Sequence, residues 1–109
     1  MKQQIRDWLT EQFGDDEALL SEIEARYRAD FEARLVPLRD AVQQGNLAAV
    51  RANAHTLKGM ALAVGDWDMA TRMLALEQLG TAGNAARLPE ASARLADAES
   101  AWKDGLSGR

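Results

Sequence analysis

Apolar residues spaced three and four positions apart run through most of the chain, and this spacing constrains the fold more than any other feature. A helix turns about 100° per residue, so such steps gather side chains on one face. Almost no segment alternates as a strand would, and the predicted fold class is all-α. Ile5, Trp8, Leu9 and Phe13 define a short first helix that Gly14 ends. Asp15, Asp16 and Glu17 open a second one, because carboxylates cap free amides and complement the positive end of the helix dipole. Its stripe is Leu19, Leu20, Ile23, Tyr27, Phe31, Leu35, Leu38 and Val42, which predicts a helix over 16–44. Pro37 lies inside it; proline lacks a backbone donor and clashes with the carbonyl of Ala33, so a kink or break is expected there.

Gln44-Gly45-Asn46 is a turn, with Gly45 suited to a left-handed position and Asn46 to an N-cap. Leu47, Val50, Ala54, Leu57, Ala61 and Val64 form the third stripe, closed by Gly65. Asp66 caps a further helix with Met69, Met73 and Leu76 inside, and Gly80 to Asn84 reads as a Gly-rich connection. The last helix begins near Pro89 and carries Leu88, Ala91, Leu95, Ala98, Trp102 and Leu106 on its face. The tail Ser107-Gly108-Arg109 is expected to fray. Trp8, Trp67 and Trp102 are read as packing residues. Four long amphipathic helices with short connections predict an antiparallel four-helix bundle, with the short extra N-terminal helix capping one end. The 109 residues suit one domain, 1–109, whose bundle core spans about 16–106.

Composition removes several functions. A net charge of -4 argues against a nucleic-acid binder, which needs clustered cations, and against a polybasic membrane-surface module. No apolar stretch approaches the ~20 residues that cross a bilayer, so no membrane insertion is expected. Met1 to Asp7 lacks the apolar core of a signal peptide, and a cytoplasmic location is expected. Without cysteine there is no disulfide or thiolate metal site; with a single histidine no metal site is expected. Asp15-Asp16-Glu17 lacks the alternating ligands and glycine of a calcium loop.

Chemistry concentrates in Asn53-Ala54-His55-Thr56-Leu57-Lys58-Gly59-Met60-Ala61. His55, the only histidine, follows Ala54 and is therefore rotated about 100° off the buried stripe, onto the helix flank. Its helical neighbours are Arg51 at i-4, Lys58 at i+3, Gly59 at i+4 and Leu62 at i+7. Neutral imidazole is a competent nucleophile toward phosphorus near neutral pH. Lys58 is placed to offset phosphoryl charge. Gly59 costs about 1 kcal/mol in a helix interior, a cost that makes sense where another protein must approach closely. Each residue alone has a plainer reading: a lone histidine is most often structural, and a lone lysine is solvated. The combination is what points to a site.

Ala54-His55-Thr56-Leu57-Lys58-Gly59, with Gly65 six residues later, resembles the H-x-L-K-G…G signature of histidine-containing phosphotransfer (HPt) domains. Met69, Met73 and the pair Leu76-Glu77 fall where that family has inner residues and a Leu-Glu pair, and Phe31, Pro37, Leu38 and Gly45-Asn46 fit its upstream pattern. Met60 and the bulky Trp67 depart from it. The resemblance, over about 16–106, implies a phosphocarrier with no kinase activity of its own, in a multistep two-component phosphorelay. It implies that His55 accepts phosphate from an aspartyl phosphate on a receiver domain and passes it to another receiver, on response regulators or hybrid sensor kinases. Lys58 would support the phosphoryl group and Gly59 would keep the docking surface open. Mg²⁺ is expected on the receiver, and no cofactor on this chain.

Docking is expected on the His55 face, with Gly59, Arg51, Leu62 and, across the Gly45 turn, Arg34 in the interface. A bundle of this size is expected to act as a monomer. Two further readings remain open at this point: a docking module that sequesters a signalling protein without turnover, and the phosphoacceptor domain of a larger chemotaxis-type kinase.

Overall fold

In the computed structural model, which describes residues 2–106, helices occupy Gln3–Phe13 (α1), Glu17–Gln44 (α2), Leu47–Ala63 (α3), Trp67–Ala82 (α4) and Leu88–Leu106 (α5). A 3-10 turn at Ala85–Arg87 precedes α5, and there is no strand among the described residues. The starts are set by side-chain caps. Asp16 accepts from the Leu19 amide at 3.2 Å, Asn46 from Ala49 at 3.1 Å, and Asp66 from Met69 at 3.4 Å. The end of α3 shows why its closing residue is glycine. Gly65 takes φ of 74°, which lets its amide reach the Leu62 carbonyl and the Asp66 amide reach that of Ala61.

Short connections force consecutive helices to reverse and pack side by side. Cross-helix partners confirm the antiparallel order: Arg39 of α2 pairs with Glu99 of α5, while Glu32 meets Trp102 three residues further along α5. The helices form a closed ring, α2 on α3, α3 on α4, α4 on α5 and α5 back on α2. Phe31, Leu38, Val50, Leu57, Met69, Met73 and Leu76 are wholly buried inside it. Phe31 and Trp102 stack with ring centroids 4.3 Å apart, and Tyr27 meets both edge-on.

The α1 helix lies across the end where α3 gives way to α4, burying Ile5 and Leu9. Lys2 reaches Asp66 and Asp68, and Arg6 pairs with Glu17 and Glu24. The capping role expected of this helix is therefore observed. Asp66 itself is buried and also accepts from the Tyr27 hydroxyl at 2.8 Å, so one carboxylate ties α1, α2 and α4 together.

Three expectations are narrowed or corrected. Of the kink or break expected at Pro37, the break does not occur: helix α2 runs through it to Gln44. Pro37 and Ala33 are exposed, so the freed carbonyl faces water, while Leu35, Leu38 and Ala41 pin the helix to the core on its other side. Gly80 belongs to α4 and is buried there; the connection begins only at Gly83. Phe13 and Leu19 lie on the outer parts of their stripes and are exposed. All three tryptophans pack as expected: Trp102 is core, Trp8 is half-buried, and Trp67, though 40% exposed, meets the Trp8 ring edge-on at 5.9 Å. The tail at 107–109 lies outside the described residues.

Candidate functional site

Ala54 is fully buried, and the next residue, His55, turns out of the core with 66% of its side chain exposed. Helix α4 supplies its partner. Leu76 points into the core; one residue on, Glu77 faces α3 and places Oε2 2.7 Å from His55 Nδ1. The other oxygen, Oε1, accepts from Lys58 Nζ at 2.6 Å. One carboxylate thus holds both the histidine and the lysine of the motif.

Two helices can share a carboxylate in this way only if they lie close, and Gly80 brings them close. A Cβ added at Gly80 would fall 2.6 Å from the Arg51 amide nitrogen and 2.8 Å from the Leu47 carbonyl oxygen. Any side chain there would push α4 away from α3, one turn from Glu77.

The electrostatics define the ring. The Lys58 ammonium, and then the hydrogen bond from His55, hold the Glu77 carboxyl below the usual carboxylate range, against an opposing effect of partial burial. Glu77 is therefore an ionised acceptor near neutral pH, and Nδ1 must donate to it. In the neutral ring this leaves Nε2 with the free lone pair. The result is a largely exposed ring, held at Nδ1, with a lone pair on Nε2.

The other sequence-derived residues divide. Lys58 joins His55 through Glu77. Gly59 is exposed, and a Cβ there would meet nothing within 4 Å, so packing within the chain does not require glycine. Leu62 is 45% exposed and lines a groove of about 280 Å³ with Lys58, Trp67, Ala70, Thr71 and Leu74. Arg51 and Arg34 are exposed, and among the described residues neither forms an ion pair with the His55 group. Sequence reasoning noted Glu77 in a motif pair but gave it no role. The signal was present: counted from the Gly65 turn, His55 and Glu77 lie ten and twelve residues away on antiparallel helices.

No group of three His, Cys, Asp or Glu side chains that could hold a metal gathers among the described residues, and no helix there is long and apolar enough to cross a membrane. The fold and site define a helical carrier of an exposed, oriented histidine. A family model described as "Hpt domain" matches residues 22–107, and the chain belongs to the HPt domain family. That family works in phosphotransfer and docks with receiver domains. Comparison with curated proteins and with solved structures gives no match.

Proposed function

We propose that this chain carries phosphate between two receiver domains on Nε2 of His55. The observation that carries the reading is the 2.7 Å bond from Nδ1 to Glu77 on a ring otherwise open to solvent. Nε2 attacks the phosphorus of a receiver's aspartyl phosphate in line; the P–N bond forms as the P–O bond to the aspartate breaks, and the aspartate leaves as a carboxylate. The Nδ1 proton stays in place, and the positive charge that develops on the ring lies against Glu77. The reverse sequence delivers the phosphoryl group to a second receiver.

Lys58 has three donors, and its bond to Glu77 uses one. The others remain for phosphoryl oxygens, so the lysine acts both on the carboxylate and on the transferred group. Gly59 leaves the approach to Nε2 open. Mg²⁺ belongs to the receiver, and ATP alone should leave His55 unlabelled.

The test is transfer of labelled phosphate from a panel of receivers to the wild-type chain and to His55→Gln. Acid-labile, base-stable label on the wild type alone is the expected result. Receivers that bind without labelling the wild type would replace the relay reading with a docking module.

A further inference from the structure

Three of the six large hydrophobic residues exposed among the described residues, Leu62, Trp67 and Leu74, converge on one groove between α3 and α4. The groove starts at Lys58, whose Nζ shares the Glu77 carboxylate with His55. On α4, Leu74 stands one turn before Glu77. On α3, Leu62 lies seven residues beyond His55, about 20° away around the helix and ~10 Å along it. The apolar surface is thus continuous with the phosphoacceptor.

We infer that this groove is covered by the receiver domain that exchanges phosphate with His55, and that α1 sets its far wall by buttressing Trp67 through Trp8. The inference rests on the phosphocarrier reading. A specific interface covers about 800 Å² on each partner, a disc of ~16 Å radius, so a protein centred on Nε2 reaches past Leu62. Apolar side chains packed beneath it supply affinity that the open ring cannot.

The buttress is visible in the packing. Trp8 Cβ and Cγ lie so close over Gly65 that an added Cβ would fall 2.6 Å from each. The Trp8 ring then meets Trp67 edge-on, at 89°. Trp67, at the first position of α4, is held with much of its ring in solvent. The family match begins at residue 22, so α1 lies outside it. The far wall of the groove is therefore braced by an element that the family pattern does not include. Trp8 is a positioning residue: it touches neither His55 nor the groove.

The experiment compares two donors on the full chain. Phosphoramidate, a small phosphodonor, reads the reactivity of His55 without docking. A receiver charged with acetyl phosphate, chosen because it labels the wild type, reads docking and transfer together. Leu74→Glu should keep phosphoramidate labelling within roughly twofold of wild type and raise the KM for the receiver by about tenfold or more, with kcat little changed. Trp8→Ala should raise KM in the same direction, and Trp8→Phe, which keeps an aromatic edge against Trp67, should restore it. Thermal midpoints show whether Trp8→Ala is folded; Leu74→Glu, on the surface, decides the matter if it is not. Wild-type KM in Leu74→Glu would overturn the inference. So would a change in sedimentation mass alone, which would assign the groove to a second copy of the chain. Labelling of the wild type by no receiver, with or without labelling by phosphoramidate, would instead sink the phosphocarrier reading on which the inference rests.

Discussion

Glu77 serves two side chains from another helix at once, and its charge is what makes the arrangement work. An amide in its place still accepts a hydrogen bond but offers no negative charge to the ring or to Lys58. Glu77→Gln is expected to slow phosphotransfer by about 10–100-fold while leaving the fold intact, measured by rapid quench with a fixed receiver. The carboxyl is held below its ordinary range chiefly by Lys58. Its stabilising contribution is therefore present above the ordinary carboxylate value and is lost only as pH falls through the lowered one. Carbon NMR of the Glu77 carboxyl should show a titration midpoint below that of a free glutamate, and Lys58→Ala should move the midpoint up.

At the scale of elements, the approach of α3 to α4 positions the site. Gly80→Val places side-chain atoms where backbone already stands. It is expected to destabilise the bundle by about 1–3 kcal/mol in urea unfolding, and to slow transfer as Glu77 draws away from His55. This contact also marks the limit of what the sequence reveals. Helix starts at Asp16, Asn46 and Asp66 were readable because a cap bonds an amide three residues on. The inner stripes were readable because burial repeats with the turn of the helix. Gly80 was not, since a glycine near Gly83 and Asn84 looks locally like the start of a loop; only the neighbouring helix explains it. Glu77 was noted but given no role, although the Gly65 turn sets it opposite His55, because its partners lie 19 and 22 residues away. Trp67 read as a packing residue, and periodicity, which gives the face of a helix, did not show how much of its ring the rim leaves open.

For the molecule as a whole, the buried Asp66 is the point where α1, α2 and α4 meet. Burial, then the nearby Asp66 carboxylate, pushes the Tyr27 hydroxyl well above its usual range. A raised folded value means that the stability it contributes is complete below the unfolded value, near 10, and declines as pH rises beyond it toward the folded value. Urea midpoints should therefore fall more steeply above about pH 10 in the wild type than in Tyr27→Phe. At neutral pH, Tyr27→Phe should cost about 1–3 kcal/mol, because the buried carboxylate loses a donor.

The open ring of His55 has one more consequence. Among the described residues the His55 side chain is 66% exposed, so in the proposed carrier water would reach a phosphoryl group on Nε2 as a partner does. On that proposal a loaded chain would be a message with an expiry: the intrinsic lifetime of the P–N bond, rather than a protein lid, would limit how far it can diffuse before the signal is lost. Such a carrier would suit partners kept near one another or abundant enough to be met quickly.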